Sequence, residues 1–90
     1  MLFRSRWEGY IYFARRGDLV KIGYSTQPDR RIKTLVHHAG SEFDEVVVIP
    51  GTKNDERSYH AQFAEHRQEG EWFTTTPQIL SLMGELANQP

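Results

Sequence analysis

Gly9-Tyr10-Ile11-Tyr12-Phe13-Ala14, then Arg15-Arg16-Gly17-Asp18, then Leu19-Val20-Lys21-Ile22-Gly23-Tyr24 is the stretch that decides the fold. Two runs rich in β-branched and aromatic residues flank a tight glycine turn, which is the signature of a β-hairpin. A two-residue loop at Arg16-Gly17 sets Tyr12 opposite Lys21, whereas one at Gly17-Asp18 sets it opposite Gly23. In either register Ile11, Phe13, Val20 and Ile22 share one face, because side chains alternate across a strand. That face is core. Tyr10, Tyr12 and Lys21 share the other, where polar tips can do chemistry. A lysine across the strand pair would stabilise a phenolate and draw Tyr12 towards orienting or deprotonating water.

Outward from the hairpin, Ser25-Thr26-Gln27-Pro28-Asp29 combines capping side chains with a proline suited to a first helical turn, so a helix is predicted from about Pro28 to His38. Its buried stripe is Ile32, Leu35, Val36 and Ala39. Arg30 lies opposite that stripe and Arg31 on its flank. Gly40 closes the helix. Residues 43–49 contain Val46-Val47-Val48-Ile49, which reads as a third strand, the central or most buried one, ended by Pro50-Gly51. Residues 52–54 offer caps for a second helix from about Asp55 to Gln68, with Glu56, Tyr59, His60, Phe63 and Arg67 at three- and four-residue steps. Gly70-Glu71-Trp72-Phe73 is a short extended piece, and Thr76-Pro77 opens a last amphipathic helix carrying Ile79, Leu80, Leu82, Met83 and Leu86. Residues 88–90 fray. The expected architecture is a single α/β (α+β) domain over residues 1–90, a small three-stranded antiparallel sheet flanked by about three helices.

Ninety residues suffice for one core and no more. An apolar share of 38%, with 12% aromatic, supports a packed interior. Without cysteine the fold rests on neither disulfides nor a thiolate zinc site, and a reducing, cytoplasmic setting is the natural expectation. No apolar run approaches the ~18 residues that cross a bilayer, and residues 1–6 lack the apolar stretch of a secretory signal. The net charge of −1 hides an asymmetry: residues 1–40 carry eight Lys/Arg against three Asp/Glu, and residues 41–90 carry three against nine. A basic half suits phosphates and an acidic half suits a metal ion; the same charges also serve simply to solvate two surfaces.

Glu56 and His60 stand one helical turn apart, a spacing able to hold a metal, but two ligands do not make a zinc site. A lone carboxylate suits magnesium, which keeps most of its waters and takes one or two protein oxygens plus a substrate phosphate. His37, His38 and His66 have no partner at diagnostic spacing. The chain has no phosphate-cradling glycine loop, no dinucleotide fingerprint and no serine elbow, so nucleotide hydrolysis, dinucleotide redox chemistry and esterase chemistry are unsupported.

Taken in order, Gly9-Tyr10-Ile11-Tyr12, Lys21-Ile22-Gly23, Arg31 eight residues past that glycine, and Glu56 on a later helix resemble the GIY-YIG nuclease superfamily. The likeness is nearest to its compact phage and bacterial branch, whose second motif reads like Val20 to Gly23. There a helix similar to Glu56-Arg57-Ser58-Tyr59-His60-Ala61-Gln62-Phe63 precedes Gly70-Glu71-Trp72-Phe73. The resemblance spans residues 9 to about 83. It implies the GIY-YIG endonuclease fold and metal-dependent hydrolysis of a DNA phosphodiester with Mg2+ or Mn2+. Tyr12 would handle the attacking water, Arg31 clamp the scissile phosphate and Glu56 hold the metal. Lys21 replaces the tyrosine of the second motif, so Lys21, Tyr10 or Tyr24 takes up its role; His60 and Glu71 stand by as further catalytic groups. Arg30, Lys33 and Tyr24 are expected to contact substrate. Leu35 stands where several members carry a polar side chain. With no appended zinc finger or helix-turn-helix, targeting falls to DNA structure or to a partner protein or domain. The alternative reading is a catalytically silent module of this fold that binds nucleic acid or protein, for which Trp72-Phe73 offers an apolar contact.

Overall fold

The computed structural model describes residues 8–89; residues 1–6, considered above for a secretory signal, and Pro90 of the fraying end lie outside them. Strands β1 (Glu8–Arg16) and β2 (Leu19–Ser25) form the predicted hairpin. Its turn is Gly17-Asp18, so Tyr12 lies opposite Gly23, and Lys21 lies opposite Ala14 rather than Tyr12. Gly17 takes φ 59°, as the first central position of such a turn requires. This register has a steric signature: a Cβ at Gly23 would collide with the hydroxyl end of the Tyr12 ring.

β1 is the buried centre, with Ile11, Tyr12, Phe13 and Ala14 all at 1% exposure or less. The valine-rich strand β3 (Glu45–Thr52) is not central, as its composition suggested, but stands at the sheet edge beside β1. Of its valines only Val47 is buried, while Val46 and Val48 stay exposed on the other side. Apolar composition on both faces hid the period-2 alternation that marks an edge strand. The edge position also explains why β3 runs on through Pro50-Gly51 instead of ending there: a proline on an outer strand forfeits no ladder bond it needs.

Helix α1 (Pro28–Ala39) starts at its proline and ends at Gly40, whose φ of 73° and N–H bond to the Val36 carbonyl close it. Helix α2 (Lys53–Gln62) begins with a reciprocal capping box between Thr52 and Asp55. It stops well short of the expected Gln68. Past Phe63 the chain makes one 3-10 turn (Ala64–His66), then strand β4 (Arg67–Glu69), turns at Gly70 with φ 57°, and returns as β5 (Trp72–Thr74). The helical spacing of Phe63 and Arg67 is formal only; pairing of Trp72-Phe73 with β2 overrides it. The sheet therefore has five antiparallel strands, ordered β3-β1-β2-β5-β4, where three were expected. Helix α3 (Pro77–Ala87) follows, capped by the Thr76 hydroxyl on the Ile79 N–H at 3.2 Å.

One face of the sheet presents Ile11, Phe13, Val20, Ile22, Val47 and Phe73 to Phe63 at the end of α2 and to Ile79 and Met83 of α3. This is the core. The α1 helix meets β1 and β2 from the Tyr12 side. The broad α+β class with three helices holds. Among the described residues no helix is long and apolar enough to cross a membrane.

Candidate active site

Because β5 is only three residues long, it pairs with Leu19, Val20 and Lys21 and leaves the outer edge of β2 beyond Lys21 without a strand partner. Bare backbone groups at a covered edge are costly, and here they are met one by one. The Ile22 N–H donates to the Glu71 carbonyl at 2.9 Å. The Ile22 carbonyl accepts from His60 Nε2 at 2.8 Å. The Tyr24 N–H donates to the Glu56 carboxylate. Residues 56 and 60 of a helix are about 6 Å apart along its axis. Residues 22 and 24 of a strand are about 6.6 Å apart. The two periods match, so α2 lies along the strand edge as a substitute for the missing ladder.

That match gives the Glu56/His60 spacing a different meaning from a metal pair. Since a carbonyl can only accept, His60 Nε2 carries the proton, and its Nδ1 is left to accept from the Arg67 guanidinium at 3.2 Å. Both ring nitrogens are engaged, so His60 braces α2 and does not offer a catalytic nitrogen. Its ring also packs on Phe73, 5.1 Å between centroids.

The same arrangement delivers Glu56 to the mouth of the Tyr12 face. Tyr12 comes from β1, and Arg31 from the flank of α1 brings its guanidinium within hydrogen-bonding reach of the phenol oxygen. Glu56 and Glu71 both lie close enough for their charges to act on Tyr12. Burial, above all, pushes the Tyr12 phenol above its ordinary value, and the two carboxylates add to this; Arg31 pulls it down without winning. The phenol is therefore protonated at neutral pH, able to accept from Arg31 and still donate its own hydrogen.

Glu56 is also pushed above the usual carboxylate range, first by burial and next by the charge of Glu71, whose carboxyl lies within its hydrogen-bonding reach. The Tyr24 N–H and His60 pull the other way. Two carboxylates facing one another form a hard, oxygen-only donor set, only one of which, Glu71, has an ion-pair partner. No cluster of three or more His, Asp or Glu side chains forms a cage among the described residues. One or two carboxylates fit Mg2+ or Mn2+, which keep their remaining positions for water and phosphate; they do not fit structural zinc.

Lys21, 9% exposed, is the one buried cation among the described residues. Its ammonium pairs with Glu71 at 3.5 Å and lies 5.3 Å from the centre of the Trp72 ring, which is directly across from it on β5. It thus serves Glu71 rather than the Tyr12 phenol, correcting the expectation of a phenolate stabilised by Lys21; the cation at the phenol is Arg31. Tyr10 lies two residues from Tyr12 on the same face, opposite Ser25 and Pro50. Tyr24 faces the other way: its ring packs on the core, and only its backbone N–H reaches the site. Arg30 and Lys33 are exposed on α1, with Lys33 turned away from the side that carries Arg31. Trp72 was missed as a site residue. The signal was available in Gly70, whose turn makes Arg67 to Thr74 a hairpin and sets Trp72 against Lys21.

No curated protein and no solved structure matches the chain. A family model does: residues 9–84 match the T5orf172 domain, an interval that runs from the first motif glycine into α3 and takes in Tyr12, Lys21, Arg31, Glu56 and Glu71. The chain belongs to the T5orf172 domain family.

Proposed function

We propose that this domain is a metal-dependent endonuclease of the GIY-YIG type that hydrolyses DNA phosphodiester bonds. The observation that supports it is convergence: a phenol from β1, a guanidinium from α1 and a carboxylate from α2, far apart in the chain, meet around one surface at the open edge of β2. Membership of the T5orf172 domain family is in keeping with a nucleic-acid-directed role.

In-line displacement at phosphorus needs an oriented water, positive charge on the non-bridging oxygens and relief of charge on the departing oxygen. Arg31 meets the first oxygens through its planar fork, held in place by the Tyr12 oxygen. Tyr12, kept protonated by burial, donates its hydrogen to position the water or the phosphate; it orients rather than acting as a phenolate base. The water oxygen bonds to phosphorus as the bond to the departing oxygen breaks, and the proton that the attacking water sheds passes through solvent to the departing oxygen. Glu56 would hold a Mg2+ or Mn2+ ion, with Glu71 beside it, and the ion would neutralise the charge that develops on the departing alkoxide. Glu71, restrained by Lys21 above the Trp72 ring, keeps the second carboxylate turned towards Glu56. A partner protein or domain, or the structure of the DNA, would supply targeting.

Nicking of supercoiled plasmid tests the proposal. Wild type is expected to nick in Mg2+ or Mn2+ and to stop on chelation; Tyr12→Phe and Glu56→Ala each abolish nicking, and Arg31→Ala severely slows it, while DNA is still retarded in a gel. Retardation without nicking by wild type, in every divalent metal, would instead establish the silent binding module.

A further inference from the structure

A depression of about 310 Å³ opens between the β2–α1 connection and the first two turns of α1, lined by Ser25, Thr26, Gln27, Arg30, Arg31 and Thr34. Its wall holds two guanidinium groups, three hydroxyls and a carboxamide, and no carboxylate. Arg30 has no ion-pair partner among the described residues. Arg31 is shared: it lines this depression and also reaches the Tyr12 phenol. A concave surface with unopposed positive charge and many neutral donors selects a phosphate oxyanion over a carboxylate partner or an apolar group. Its contact with the Tyr12 site through Arg31 fixes which phosphate that is.

We infer that the depression binds the phosphodiester next to the scissile one on the same nucleic-acid strand, with Arg30 as its anchor and the Ser25 and Thr26 hydroxyls as secondary donors, since the Thr34 hydroxyl is already committed to the Arg30 carbonyl at 3.0 Å. The inference rests on the nuclease reading for the identity of the central phosphate, but the anion site itself does not. It makes a concrete statement about substrate: a single phosphodiester is a poor one, because half of the positive surface then has nothing to hold. Arg31 borders both positions, so the two phosphates are neighbours, and Arg30 adds binding without touching the reacting one.

The test compares bis(4-nitrophenyl) phosphate, which has one phosphodiester, with a fluorescent oligonucleotide, in Mg2+. Arg30→Gln is expected to lower the preference for the oligonucleotide, as a ratio of kcat/KM values, by about tenfold through KM, the size of one lost charge-assisted contact. Glu56→Gln is expected to depress both substrates together and leave the ratio alone. A ratio unchanged by Arg30→Gln, or a drop carried by kcat, overturns the inference. If wild type cuts neither substrate, the nuclease reading fails separately, and oligonucleotide anisotropy across a salt series decides. There Arg30→Gln is expected to weaken binding and reduce the slope of log affinity against log salt by about one. An unaltered slope overturns the inference in that setting too, and an unchanged unfolding midpoint for the exposed Arg30 variant excludes misfolding as the cause.

Discussion

The two faces of the β1–β2 hairpin are both buried, yet they are built on opposite terms. On one, Ile11, Phe13, Val20 and Ile22 pack with Phe63 and the Tyr59 ring from the α2 side and with Ile79 and Met83 of α3. On the other, Tyr12 and Lys21 are as hidden as core residues, but each carries a polar tip that needs a partner: Arg31 for the phenol, Glu71 and the Trp72 ring for the ammonium. No buried side-chain nitrogen or oxygen is left unpartnered among the described residues. The first face supplies stability through area removed from water, and the second spends part of it to hold charged groups close together. Substitutions should therefore separate stability from activity according to face.

The largest effect is expected from Phe13→Ala on the apolar face, a loss of about 3–5 kcal/mol in urea unfolding. A loss below ~1.5 kcal/mol would mean that this face is not the core. On the opposite face Arg31→Ala should cost roughly 10²–10³ in kcat/KM for plasmid nicking and only about 1 kcal/mol of unfolding stability, the hydrogen bond lost at the phenol. A comparable loss of stability would erase the distinction between the faces. Gly23→Ala tests the seam between them: its methyl must displace the Tyr12 ring, so activity should fall with a stability loss of about 1–3 kcal/mol. His60→Ala strips the Ile22 carbonyl of its partner and should cost about 1–2 kcal/mol. Nicking should be impaired only in so far as α2 loosens, and recovery of nicking at lower temperature would separate bracing from catalysis.

The smallest effect has the opposite sign. Burial and Glu71 raise the Glu56 carboxyl in the folded protein, so its contribution to stability is present below the unfolded value near 4.5 and is lost as pH rises through the folded one. In chelator, wild-type Tm should accordingly fall relative to Glu56→Gln between mildly acidic and neutral pH, leaving the inactive variant the more stable at pH 7. Mg2+ should then raise the Tm of wild type alone. A variant less stable than wild type at pH 7 in chelator would show that Glu56 is structural.

The hairpin, the start of α1 at Pro28, its close at Gly40 and the Thr76-Pro77 opening of α3 were legible in the chain because each depends on neighbours within a few residues. The candidate trio was legible too, though by resemblance rather than by geometry. The end of α2 was not, since a period of four continues past Phe63 whether or not the backbone does. The place of β3 was not, because valines on both faces conceal which one is wet.

Local sequence settled where strands turn, where helices begin and which hairpin residues face the core, since φ/ψ preference and side-chain alternation act over a handful of bonds. Tertiary structure alone decided that β5 is short enough to expose the edge of β2, that α2 fills the gap with Glu56 and His60, and that Lys21 answers to Glu71 instead of Tyr12. Those outcomes turn on which backbone donors remain unmet once the whole sheet has assembled, a quantity no short segment contains.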